Sequence, residues 1–148
     1  MARRFFAAGC WVSVACGLVH LLGHHALVSN PGQNEAERQL LSSMKGYRQD
    51  FGLGFVRSMF DLMTGFSLAF SVECLGFGAL GLVLMRHVPG FPPVLRAVAG
   101  TLAVVFAAMT GIGFVYWFAA PLSFLVLAFV CFTAAVATPP PGSGESAR

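Results

Sequence analysis

Residues Ser58–Met85, SMFDLMTGFSLAFSVECLGFGALGLVLM, decide the fold: the run is apolar, carries two acids, Asp61 and Glu73, and has neither lysine nor arginine. It exceeds the roughly 20 residues that take a helix across a hydrocarbon core. In lipid each backbone amide must find its partner within the segment, which makes such a run helical. Working outward, Phe5–Val28, Ala97–Phe118 and Pro121–Thr138 read the same way. The expected fold is all-α, a four-transmembrane-helix bundle over residues 1–138. The last residues, 139–148, are expected to be a disordered tail, since Pro139-Pro140-Pro141-Gly142-Ser143-Gly144 cannot continue a helix.

Composition supports a membrane protein. Charged residues make up 10% of the chain, against about a quarter in a soluble domain. Four spans in 148 residues leave no room for a second domain. The net charge of +3 is scattered, and no basic cluster exceeds Arg3-Arg4, so nucleic acid is not an expected partner. Cys10, Cys16, Cys74 and Cys131 all fall inside predicted spans without a Cys-x-x-Cys pair, and read as small packing residues.

The N-terminus has features of a targeting segment: Arg3-Arg4-Phe5-Phe6 is like a weak twin-arginine start, and Ala7-Ala8-Gly9-Cys10 like a lipoprotein cleavage box. Yet only about five residues precede that cysteine, short of the roughly 7–15 apolar residues that a signal needs. The run continues to Val28 and is expected to be a retained first helix.

Asn30-Pro31-Gly32 ends the first span. Asn34, with Glu37 three residues on, then reads as a capped helix start. Ala36, Leu40, Met44, Tyr47 and Phe51 recur at helical spacing opposite Glu35, Arg38, Gln39, Ser42, Lys45 and Gln49. This predicts an amphipathic helix over roughly 34–50, too polar to span and suited to the membrane surface. Arg86–Pro93 is a stiff turn, and Ala119-Ala120-Pro121 makes the last two spans antiparallel neighbours. With Arg3, Arg4, Arg86, Arg96 and Arg148 on one side against Arg38, Lys45, Arg48 and Arg57 on the other, both termini are expected inside a bacterial cytoplasmic membrane.

One polar constellation stands out. On the first span Gly9, Ser13, Gly17, His20 and His24 share a face; on the second so do Arg57, Asp61, Thr64 and Ser71, with Ser67 at the edge. These spans return past each other, so His20 and His24 are expected at the level of Arg57 and Asp61 near the outer surface, with Tyr116 of the third span able to join them. A central Asp or Arg in a lipid-facing helix costs about 2.5–3.5 kcal/mol on insertion scales, so such groups turn inward to partners. Arg57 and Asp61 can pair at i, i+4, and Asp61 can accept from a histidine. The expectation is a small polar pocket of His20, His24, Arg57, Asp61, Thr64 and Tyr116, roofed by the surface helix. The bland alternatives are an ion pair that fixes register and histidines satisfied by neighbouring hydroxyls. Glu73 lies near mid-span, roughly opposite that face, where a bundle neighbour or another subunit would meet it.

Sharper chemistry has less support. His20-Leu21-Leu22-Gly23-His24-His25 matches one histidine box of the membrane desaturases, which need about eight histidines where this chain has four. Two axial haem ligands cannot come from one helix face. A mononuclear metal held by His20, His24 and Asp61 has suitable donors but lacks a fourth. No resident cofactor is predicted.

Glu35-Ala36-Glu37-Arg38, Tyr47-Arg48-Gln49-Asp50, Arg57–Leu62 and Gly65–Leu68, with Gly17-x-x-His20 and Gly23-His24, resemble a family of small four-helix bacterial integral membrane proteins. The resemblance covers the first two spans and their loop, and implies four membrane helices without an activity. The layout is also similar to that of DoxX-like membrane proteins, an analogy of architecture. Two function classes follow: a non-enzymatic membrane protein with an outer ligand pocket or an assembly role, or a metal-dependent or oxidoreductase-like enzyme using His20, His24 and Asp61. Gly76, Gly78, Gly81, Gly111 and Gly113 favour the former, because they permit close helix approach and a homo-oligomer. The expected partners are the bilayer, a small ligand and further copies of the chain.

Overall fold

The computed structural model describes residues 1–30 and 32–139, of which 81% are helical. The elements are α1 Ala2–Ser29, α2 Glu35–Gly46, β1 Arg48–Asp50, β2 Val56–Ser58, α3 Met59–His87, α4 Pro93–Tyr116 and α5 Ala119–Ala137. Helices α1, α3, α4 and α5, with 28, 29, 24 and 19 residues, are long and apolar enough to cross a membrane, as the four apolar runs require. They are compatible with a helical membrane bundle and suggest an integral membrane protein. The expected tail, Pro139 apart, lies outside the described residues, as does Pro31 of the breaker.

The helix boundaries follow local chemistry. α4 opens on Pro93 at its first position, where the missing N–H would have had no helical partner. Trp117 and Phe118 alone link α4 to α5, which makes the two helices antiparallel neighbours.

The chain divides into two compact units. The first comprises Met1–Cys16 and the chain from Cys74 onward. Its core is a string of rings: Phe77 on Phe106 (centroids 6.3 Å), Phe106 on Phe132 (5.5 Å), Phe132 on Phe6 (5.8 Å) and Phe6 on Phe91 (5.8 Å). Phe6, Phe106, Phe132, Leu95 and Leu125 are fully buried around it. α1 meets α3 closely because glycine clears the way: a Cβ on Gly78 would lie 2.5 Å from the Cys10 carbonyl oxygen, and one on Gly81 would strike the Cys10 sulfur. Ser13 Oγ donates to the Cys74 carbonyl at 2.7 Å. Cys10, Cys16 and Cys74 are buried and Cys131 half-buried, and none of them is in a disulfide.

Two arginines close this unit in parallel ways. Arg3 donates to the carbonyls of Met85, Val88 (2.7 Å) and Gly90, at and just beyond the end of α3. Arg96 donates to the carbonyls of Val136 and Thr138 (2.7 Å) at the end of α5. The last carbonyls of a helix have no partner within it and carry its negative dipole end, so a guanidinium there satisfies both.

The second unit is Gly17–Glu73. α2 starts as expected: Asn34 Oδ1 accepts from Glu37 N at 2.9 Å, and Glu37 Oε2 accepts from Gln33 N at 2.7 Å. It stops at Gly46 instead of running to 50, and none of its residues is buried. Beyond it β1 and β2 pair antiparallel, with Arg48 opposite Ser58, Gln49 opposite Arg57 and Asp50 opposite Val56. The reversal is made by Gly52, Leu53 and Gly54, all at positive φ (84°, 56° and 80°). Two glycines that free the backbone there allow a hairpin where helical periodicity alone predicts continuation.

Candidate functional site

The polar residues of the second unit are arranged by the junction between β2 and α3. Ser58 ends β2 and caps α3: its Oγ accepts from Asp61 N at 3.0 Å, while Asp61 Oδ2 accepts from Ser58 N at 2.9 Å. This reciprocal pair is a capping box, with Asp in place of the commoner Glu or Gln. Asp61 is thus engaged with its own helix start. The motif Ser58-x-x-Asp61 was the signal in the sequence that could have found it.

Arg57 lies on β2, before the helix begins, so the i, i+4 geometry expected for it with Asp61 does not arise. Its guanidinium donates to the Val56 carbonyl at 3.0 Å and stands 5.6 Å from the centre of the Phe55 ring. Among the described residues the ion pair within 4.0 Å is Arg38–Glu35. Arg48, outside the polar stripes of both spans, pairs with Ser58 across the hairpin.

His20 Nε2 lies 2.9 Å from Ser67 Oγ, and its ring meets Phe70 edge-on at 4.7 Å. Ser71 Oγ in turn donates to the Ser67 carbonyl at 3.1 Å. The histidine partner is therefore the hydroxyl at the edge of the expected stripe, not the Asp61 carboxylate. Where α1 and α3 run antiparallel, four residues forward from His20 correspond to four back from Ser67. His24, one turn further along α1, is 9% exposed. Thr64 Oγ1 is buried and, among the described residues, has no hydrogen-bond partner. Tyr116 belongs to the first unit and is 79% exposed at the end of α4.

A cleft of about 200 Å³ opens between the end of α1 and α2, lined by Leu27, Asn30, Gly32, Glu37, Leu40 and Leu41. Its polar rim is already engaged: Asn30 Oδ1 accepts from Gly32 N, and Glu37 Oε2 from Gln33 N. None of the six residues singled out by sequence lines it. Among the described residues no three of His, Cys, Asp and Glu gather closely enough to hold a metal ion, and His20, His24 and Asp61 do not form such a group.

Set beside protein-family models, curated proteins and solved structures, the chain matches none.

Proposed function

We propose that this is a non-enzymatic integral membrane protein that works by assembly, with α3 as the docking helix and a second copy of the chain as the partner. The observation that carries this reading is Glu73, exposed at the middle of α3. An ionisable side chain at mid-membrane depth is costly against lipid and is normally covered by protein. Around it the exposed residues of α3 repeat at spacings of four and three: Gly65, Ala69, Val72, Gly76, Ala79 and Val83. Four of these six are glycine or alanine, and small residues at such spacing let two helix backbones approach. Gly65 and Gly76 have open space where a side chain would stand, whereas Gly78 and Gly81 are spent on α1. A twofold contact would bring the two Glu73 side chains within reach of one interhelical hydrogen bond.

In this reading the chain lies in a bacterial cytoplasmic membrane with both termini inside. α2 rests at the outer surface, its leucines toward the lipid and Glu35, Arg38 and Lys45 toward water. The resemblance to small four-helix bacterial membrane proteins agrees with this placement. A second reading, a small-ligand pocket, is favoured by the unpartnered Thr64 hydroxyl beside the His20–Ser67 pair. The enzyme alternative would rest on His20, His24 and Asp61, of which His20 meets Ser67 and Asp61 caps α3.

The test is the oligomeric state in lipid nanodiscs and vesicles, read by single-molecule photobleaching. The native chain is expected to dimerise. Glu73→Leu is expected to weaken the dimer about fivefold, the equivalent of one interhelical hydrogen bond of ~1 kcal/mol. Gly76→Leu, which fills the seam, should weaken it further. A chain that stays monomeric at every protein-to-lipid ratio would overturn the reading.

A further inference from the structure

We infer that the hairpin between α2 and α3 is an interfacial anchor that rests on an anionic phospholipid surface. Alternation along paired strands puts Tyr47, Gln49 and Phe51 on one face with Phe55, Arg57 and Met59. Phe51 N donates to the Phe55 carbonyl at 3.0 Å and Met59 N to the Tyr47 carbonyl at 3.2 Å, which extends the pairing beyond both strand ends. Tyr47, Phe51, Phe55, Arg57 and Met59 are all exposed. A face of aromatic rings, a methionine and an arginine, with one glutamine among them, has the composition found at the headgroup level of membranes.

The tip gives an independent argument. Leu53 sits at φ 56°, a backbone region that residues with a Cβ rarely adopt, and is 98% exposed. Glycine or asparagine would relieve the backbone there. A leucine so placed makes almost no contact within the chain, so its apolar side chain has its partner outside. Phe51 and Phe55 flank it, completing an apolar fingertip.

Charge and continuity identify that partner. Lys45 lies over the Phe60 ring at 4.9 Å and Arg57 beside Phe55, with Arg48 on the same hairpin. The Asp50 carboxylate accepts from Gly52 N at 2.7 Å, and the three cations Lys45, Arg48 and Arg57 outnumber the two neighbouring acids, Asp50 and Asp61, which leaves a net positive rim. The hairpin runs into α3 without a linker, Ser58 to Met59, so it stands where a membrane-spanning helix begins. A cationic collar around an apolar tip at that level suits lipid phosphates above acyl chains.

The experiment places Leu53→Trp in the full chain, reconstituted in vesicles of phosphatidylcholine and phosphatidylglycerol. Subtracting the unsubstituted chain's emission removes Trp11 and Trp117. The expected result is blue-shifted emission, shielded from aqueous iodide and quenched more by brominated phosphatidylglycerol than by brominated phosphatidylcholine. Adding Lys45→Gln and Arg57→Gln is expected to lower that lipid preference by about fivefold per charge. Water-like emission open to iodide would overturn the inference and point to a protein partner instead. Equal quenching by the two lipids would also overturn it.

Discussion

Replacing Arg3 by methionine tests the idea that α3 is held at its end by a side chain from the start of α1. The perturbation removes three hydrogen bonds, to the carbonyls of Met85, Val88 and Gly90, while keeping an unbranched apolar stem. The Gly90 carbonyl is exposed and water can replace its donor, whereas the Met85 and Val88 bonds are partly buried. Hydrogen bonds from a charged donor contribute about 1.5–3 kcal/mol each, so two at the low end amount to about 3 kcal/mol. Arg3→Lys keeps the charge but not the fork of donors, and should recover about half of the loss. The assay is reversible unfolding in mixed micelles as the sodium dodecyl sulfate fraction rises, followed by far-ultraviolet circular dichroism. A loss below about 0.5 kcal/mol for Arg3→Met would refute the reasoning, because it would mean that water serves all three carbonyls equally well.

Two further substitutions probe the second unit. Ser58→Ala removes the cap of α3 and should cost about 0.5–2 kcal/mol in the same assay, with hydrogen exchange rising at Met59–Asp61 before it rises further along the helix. Thr64→Val removes a buried hydroxyl that lacks a partner and is expected to raise stability by about 1 kcal/mol. Destabilisation instead would reveal a bound partner for that hydroxyl and favour the ligand-pocket reading.

Spans were legible in the sequence because lipid leaves an apolar run few alternatives, and the Asn34 cap because its signal is local. The hairpin was not, since Ala36, Leu40, Met44, Tyr47 and Phe51 keep a helical period through the point where Gly46 ends the helix. Left-handed backbone at Leu53 has no residue-type signature at all. The roles of Arg3 and Arg96 were hidden because their partners lie 40 to 87 residues away in sequence. From sequence alone both read only as charges that orient the chain. Glycine count announced close packing, but which glycines face α1 and which stay open depends on helix rotation that a one-dimensional pattern does not contain. Of the candidate site, α1 carries His20 and His24 and α3 carries Asp61 and Thr64, while Arg57 lies on β2 and Tyr116 on α4; the Asp61 carboxylate closes a cap, and Ser67 takes the imidazole.

Unequal helix lengths set a mechanical limit. At 1.5 Å per residue, α3 is about 44 Å long and α5 about 28 Å, against a hydrocarbon thickness of roughly 30 Å. α3 has slack and can lean, whereas α5 must stand nearly upright to reach both leaflets. Its far end is pinned by Arg96 and its near end by the two-residue link to α4, so neither can creep outward. In thicker bilayers the lipid would have to thin around α5 first, which would draw the molecule toward the thinnest patches of membrane available.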